Sequence, residues 1–371
     1  VHGTLSALLG YHLSVWLKCS AAGAMVVAAA GLFVLAWAYT QIERILHRQR
    51  TQTNPNQERK NPMKITRKKW LSPTTAALAA LCLAGTTTAF AQEKLKVATT
   101  IGMVGDLVKQ VGGDRVDVEQ LMGPGVDPHL YKPTSEDAST LSQADVIFYS
   151  GLMLEGRMAD LFTKMARAGK RVYPTTETVP EDQLLEPAEF EGHYDPHLWF
   201  DVSLWAQTVP TIIRGLSETD PAGKDTYETN GAALMDRLAA LDEFCKDLAA
   251  TLPEKNRILV TSHDAYNYFG RAYGFKVVGL QGVSTVSEAA LADMASLVDF
   301  IKAQDVKAIF VETSVNPAAI NRVSEDAGVK IGGELFSDAM GEPGEKKDGF
   351  DVGTYDGMVR YNLTTIVNAL K

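Results

Sequence analysis

Short runs rich in β-branched and other apolar residues alternate, from residue 94 to 336, with segments whose apolar positions recur at helical spacing. That alternation constrains the fold more than any other feature. In the first half the strand-like runs are KLKVATT at 94–100, DRVDVEQLM at 114–122, DVIFYS at 145–150 and KRVYPTT at 170–176. The second half repeats the pattern with NRILVTS at 256–262, FKVVGLQ at 275–281, VKAIFVE at 306–312 and KIGGELF at 330–336. Helical patterns fill the gaps at 103–111, 134–143, 153–168, 287–303 and 317–327. Strands that alternate with helices through short loops build a mostly parallel sheet covered by helices. The expected fold class is α/β, with two similar lobes.

Between the two halves, Asp220 and Pro221 make a good helix start, and Leu234, Leu238, Leu241, Cys245 and Leu248 recur at helical spacing as far as Pro253. A helix over 222–251 would be more than about 40 Å long at about 1.5 Å per residue, longer than a crossover within one lobe requires. It reads as a rigid strut, which predicts small lobe motions. The expected divisions are a first lobe at 92–220, a linking helix at 221–252 and a second lobe at 253–371.

Residues 1–91 stand apart from this grammar. The run AAGAMVVAAAGLFVLAWAY at 21–39 holds 19 residues without a charge and is followed by Arg44, Arg48 and Arg50, as a membrane-spanning helix with a cytoplasmic flank would be. The chain starts at Val1, and a polar stretch leads to Met63. From there MKITRKKW gives a basic segment, the stretch to Gly85 an apolar one, and Ala89-Phe90-Ala91 a small-x-small cleavage site, the form of a secretory signal peptide. We therefore expect 63–91 to be a signal peptide, 1–62 to be the tail of a neighbouring reading frame, and the mature protein to be exported as 92–371. If 1–62 is translated, its helix would act as a membrane anchor. Cys82 follows Leu81, where a lipidated cysteine wants a small residue before it.

The charge is just as unevenly placed. Residues 1–91 carry 10 Lys and Arg against 2 acidic residues, whereas 92–371 carry 26 against 43, a net of −17. So acidic a body argues against nucleic acid or an anionic membrane surface and suits a cationic ligand. The only cysteine after the signal segment is Cys245, which excludes an internal disulfide and a cysteine-built metal site but leaves histidine and carboxylate sites open.

Of seven histidines, His2, His12 and His47 precede the mature chain, leaving His129, His193, His197 and His263. His129 lies in a turn after a strand, His197 in YDPHLWFD, and His263 at the end of a strand. Ligands of open α/β sheets gather beyond the carboxyl ends of strands, so these three can converge. Asp-Pro-His occurs twice, at 127–129 and 195–197; an Asp two residues away could orient each imidazole through its second nitrogen, as metal-binding histidines need. On these residues alone, a structural histidine and a metal ligand stay equally open. Glu312 could orient a ligand or cap a helix; Asp201, Asp264 and Asp356 read as loop architecture; Trp199, Tyr266 and Phe269 as cleft walls; and His193 as a solvated loop residue.

The surrounding motifs are DPHLYKPT at 127–134, DPHLWFD at 195–201, TSHDAYNYFGRAYG at 261–274, VETSVNP at 311–317, LFSDAMG at 335–341 and GTYDGMVRYN at 353–362. In this order, across essentially all of 92–371, they resemble the periplasmic solute-binding proteins that deliver zinc or manganese to ABC transporters, the cluster A-I family of the ZnuA, TroA and PsaA kind. The resemblance implies four metal ligands, His129, His197, His263 and Asp338, two from each lobe. It implies one Zn2+ or Mn2+ as cargo, with Fe2+ as an alternative, and a periplasmic monomer that docks on a membrane permease and, through it, serves a cytoplasmic ATPase. Residues 1–40 in turn look similar to the last membrane helix of such a permease.

Three imidazoles and a carboxylate suit a divalent first-row metal, and the usual affinity order favours zinc over manganese at equal supply. Family members dedicated to zinc often carry a histidine-rich loop before the second ligand, whereas 177–194 here is acidic with only His193. Members tuned for manganese often have glutamate at the position of His263. Two other functions compete. A zinc hydrolase would need an open coordination position and a signature such as HExxH, which does not occur. A surface adhesin would need an anchor and an exposed partner patch.

Overall fold

A computed structural model describes residues 93–371 except Glu191. The membrane-helix, reading-frame and signal-peptide expectations for 1–91 lie outside the described residues. The first sheet holds β1 (Leu95–Thr99), β2 (Val116–Gln120), β3 (Val146–Tyr149) and β4 (Arg171–Pro174), all parallel in the order β2-β1-β3-β4. Val97 is in register with Val118 on one side and Val146 on the other. Its successive strands are joined through α1 (Gly102–Gly112), α2 (Ser135–Gln143) and α3 (Ala159–Arg167). The order reverses between β1 and β3, the place in such sheets where a crevice opens at the strands' carboxyl ends.

Two short helices, α4 (Val202–Ala206) and α5 (Val209–Thr219), lead to the long α6 (Lys224–Ala250). At about 1.5 Å per residue its 27 residues span about 40 Å. Tyr227, Gly231, Leu234, Leu238, Leu241, Cys245 and Ala249 are buried along it, a stripe at steps of three and four. That stripe packs against α1, α4 and α5 and also against α7 (Asn267–Tyr273) and α10 (Tyr355–Leu370). The long helix is therefore embedded in one hydrophobic core that continues through both halves, rather than standing free as a spacer.

The second half pairs β5 (Ile258–His263) with β6 (Lys276–Gln281), and β7 (Ala308–Glu312) with β8 (Lys330–Leu335), each pair parallel, with β5 lying beside β7. Helices α8 (Leu291–Ala303) and α9 (Ala318–Ala327) cover it, around a smaller core that includes Val260, Leu297, Ile309 and Ile320. A short hairpin, β9 (Lys346–Lys347) with β10 (Phe350–Asp351), precedes α10. Mostly parallel α/β halves and a long connecting helix are thus present.

Two helices begin later than their periodicity predicts. The 153–168 pattern becomes α3 only at Ala159, because Gly151, Leu152 and Met153 all take positive φ (100°, 51° and 66°). The cause is Glu155: buried beneath this turn, it accepts from Thr100 Oγ1 at 2.6 Å and from the backbone N–H groups of Ser150 and Gly151 at 2.8 and 3.2 Å. Wrapping the chain around that carboxylate overrides the helical spacing. Likewise the 287–303 pattern starts at Leu291, where Asp293 accepts the N–H of Ala290 at 3.0 Å and sets the first turn.

Candidate metal centre

His129, His197, His263 and Asp338 are far apart in sequence but bring one donor atom each to within 4.8 Å of all the others, and all four residues are buried. His129 comes from the loop after β2 and His197 from the segment before α4. His263 ends β5, and Asp338 follows β8. His129 Nε2 lies 3.3 Å from His197 Nε2; Asp338 carboxylate oxygens lie 3.4 Å from His197 Nε2, 3.3 Å from His263 Nε2 and 3.8 Å from His129 Nε2.

Outer contacts decide which atoms face inward. His197 Nδ1 is 2.7 Å from Asp195, and His263 Nδ1 is 2.5 Å from Glu312. A carboxylate can only accept, so each Nδ1 carries a proton and each Nε2 is the ring atom left to face the centre. Asp195 is itself held by the side-chain amide of Asn267 at 3.2 Å. Glu312 also accepts the backbone N–H of His263 at 2.9 Å.

The two Asp-Pro-His motifs are not equivalent. Asp195 reaches its histidine's ring, as the spacing predicts, whereas Asp127 accepts only the backbone N–H of His129, at 2.8 Å. The second oxygen of Asp127 accepts from Thr285 Oγ1 at 2.6 Å.

Asp338 sits in a loop clamped on several sides. Phe336 C=O accepts from Tyr266 Oη at 3.0 Å and from Asn362 Nδ2 at 2.7 Å, while Asn362 Oδ1 accepts from Phe336 N–H. Trp199 Nε1 donates to Ser337 C=O at 3.0 Å, tying this loop to the first half of the chain. Trp199 and Tyr266 are fully buried and brace the centre, Trp199 edge-on to the His197 ring; Phe269 stands one layer further out, edge-on to Tyr266.

The electrostatics are tightly coupled. Burial pulls the His129 imidazole down to about 3, opposed only in part by Asp338. Burial also acts against a charge on His197, but Asp195 and Asp338 prevail and hold it at about 9. His263 is likewise held well above the ordinary histidine value, by Glu312 and Asp338 against burial. Burial would raise the Asp338 carboxyl, yet His263 and His197 keep it well below the usual carboxylate range. Nonetheless His263 Nε2 and both Asp338 oxygens are buried without a hydrogen-bond partner. Buried polar atoms left without a partner are costly unless a proton or a metal cation completes them.

The donor set fits a small divalent ion. A tetrahedral ion with bonds of about 2.0–2.1 Å places its ligand atoms roughly 3.3–3.4 Å apart. The separations above, 3.3 to 3.8 Å with both Asp338 oxygens taking part, lie close to that edge.

Other predicted positions serve the architecture. Asp201 caps α4 by accepting from Leu204 N–H at 3.0 Å, and Asp356 pairs with Arg360 at 2.7 Å within α10. Asp264 accepts from Asn267 at 2.9 Å. His193 is exposed beside Phe190, apart from the cluster. Sequence reasoning did not single out Thr285, Asn267 or Asn362; the last two stand within the quoted motifs, but all three gain their partners only through folding.

The fold is that of a two-lobed solute-binding protein with a buried cluster of cation-ready donors at its crevice. The chain belongs to the ZnuA family, described as the periplasmic zinc-uptake complex component A, whose profile matches residues 97–369. It is 44% identical over 286 residues to the manganese-binding lipoprotein MntA of Bacillus subtilis, covering 76% of this chain and 91% of that protein. It is 45% identical over 291 residues to the zinc-binding protein TroA of Treponema pallidum, covering 77% and 92%. The solved structure of that TroA superposes with a TM-score of 0.71 at 44% identity, covering 75% of this chain and 99% of that one.

Proposed function

We propose that this protein captures one divalent transition-metal ion, Zn2+ or Mn2+, outside the cytoplasm and delivers it to the permease of an ABC transporter for uptake. His129, His197, His263 and Asp338 are the ligands, two from a first lobe at 92–220 and two from a second at 253–371, on either side of the helix at 221–252. The observation that carries this reading is the convergence of three buried histidines on a carboxylate whose two oxygens are buried without hydrogen bonds. Four protein ligands leave no open position for a reacting water, so the role is binding rather than catalysis. The relatives' names divide between manganese and zinc.

The site of action is the periplasm, reached through the signal peptide at 63–91. Among the described residues no helix is long and apolar enough to cross a membrane. The decisive experiment is competitive titration of the purified protein with Zn2+ and Mn2+, alongside metal content after dialysis. One ion per chain, lost in His263→Ala, supports the reading and ranks the ions. No stoichiometric ion in the unaltered protein refutes it.

A further inference from the structure

The four donors are not held alike. His197 and His263 are oriented through their rings by Asp195 and Glu312 and have no exposure, and Asp338 is 1% exposed in its clamped loop. His129 is 6% exposed, and among the described residues no protein group is bonded to its Nδ1. Its place depends on its backbone N–H and Asp127. Asp127 depends in turn on Thr285, a buried residue of the loop that follows β6 in the other half. The turn carrying Asp127 also leans on that half: Gly125, at φ +69°, sits where an added Cβ would lie 3.6 Å from the carbonyl of Thr313. Leu130 and Val286, 43% and 57% exposed, belong to these same two loops, so the seam between them faces solvent.

We infer that Thr285 is a positioning residue for the metal ligand His129, and that the Thr285–Asp127 hydrogen bond is the latch whose opening releases the ion. The inference rests on the metal-capture reading. Asp195 and Glu312 hold the rings of His197 and His263, and Asp338 sits in a clamped loop, so the ion leaves by His129, the most exposed ligand and the one whose ring has no orienting partner. Separating the loops removes the hydroxyl from Asp127, frees the His129 backbone and swings that imidazole off the ion. Release is thereby coupled to opening of the seam between these two loops, with the ring contacts of His197 and His263 kept.

The test is stopped-flow transfer of Zn2+ from the loaded full chain to an excess of chromophoric chelator. Thr285→Val, close to threonine in shape but unable to donate, is expected to raise the dissociation rate about tenfold, in line with loss of a hydrogen bond to a charged acceptor. Thr285→Ser should return the rate to within about twofold of the unaltered protein, because it keeps the hydroxyl. The zinc X-ray absorption spectrum of loaded Thr285→Val should be unchanged, since all four ligands remain. An unaltered rate in Thr285→Val, with one ion still bound per chain, overturns the latch and leaves metal capture standing. A faster rate that Thr285→Ser fails to restore also overturns it, since packing rather than the hydroxyl would then be responsible. Failure of the unaltered protein to hold a stoichiometric ion refutes the capture reading itself.

Discussion

Glu312, at the end of β7, takes both the backbone N–H and the ring Nδ1–H of His263, at the end of the neighbouring β5, at 2.9 and 2.5 Å. One buried carboxylate thus sets the position of the strand end, the ring orientation and the tautomer together. Support of this kind typically changes metal affinity by about 10- to 100-fold when removed. Glu312→Gln should weaken Zn2+ binding by that factor while keeping one ion per chain. Competitive chelator titration measures it, and a loss smaller than twofold would show that Glu312 serves only the fold.

Asp338 is the only anion among the four converging donors. Asp338→Asn keeps the shape but replaces one oxygen by an amide that donates and cannot ligate, and it removes the charge that favours a cation. Binding of Zn2+ should fall by more than about 100-fold. The ion-free variant should still give the circular dichroism of the unaltered protein. Binding as tight as in the unaltered protein would assign the ion to other groups.

The ion-free site holds protons that a metal must displace. His197 is held at about 9 and His263 well above the ordinary value, so at pH 7 both are charged when no ion is bound. Calorimetry in buffers of different ionisation enthalpy should find close to two protons released per ion at pH 7, and affinity should rise with pH. A pH-independent affinity between 6 and 8 would contradict this.

The same shifts fix the sign for the ion-free fold. A histidine whose folded value exceeds its unfolded value of about 6.5 stabilises the fold fully below that pH, and the contribution is lost as pH climbs through the folded value. For His197 the window runs from about 6.5 to about 9. Urea midpoints of ion-free protein should therefore decline across it, whereas saturating Zn2+ should abolish the decline.

The buried face of α6 offers a separate test of packing. Leu241 is fully buried there, while Met235, on the same helix, is 38% exposed. Leu241→Ala should cost about 2–5 kcal/mol of stability and Met235→Ala less than about 1 kcal/mol. Equal losses in urea denaturation would mean that the helix does not present one face to the core.

Much of this was legible in the chain. The eight strand runs, the long helix and the convergence of His129, His197 and His263 follow from periodicity and from the rule that ligands gather at strand ends. Asp338 emerged only from resemblance, because a single loop aspartate has no local signature. The starts of α3 and α8 differ from the periodicity because spacing is blind to side chain–backbone hydrogen bonds: the buried Glu155 bends the chain before α3, and the exposed Asp293 sets the first turn of α8.

Near-neighbour spacing and composition settled the order and type of the main elements, the acidic body and the residue types available to bind a cation, but not where α3 and α8 begin. Only the tertiary structure decided which carboxylate orients which ring. Asp127 and Asp195 stand in identical tripeptides, yet one holds a backbone and reaches Thr285, 158 residues away, while the other holds an imidazole. Hydrogen bonds act over about 3 Å, and only folding brings groups distant in sequence within that range.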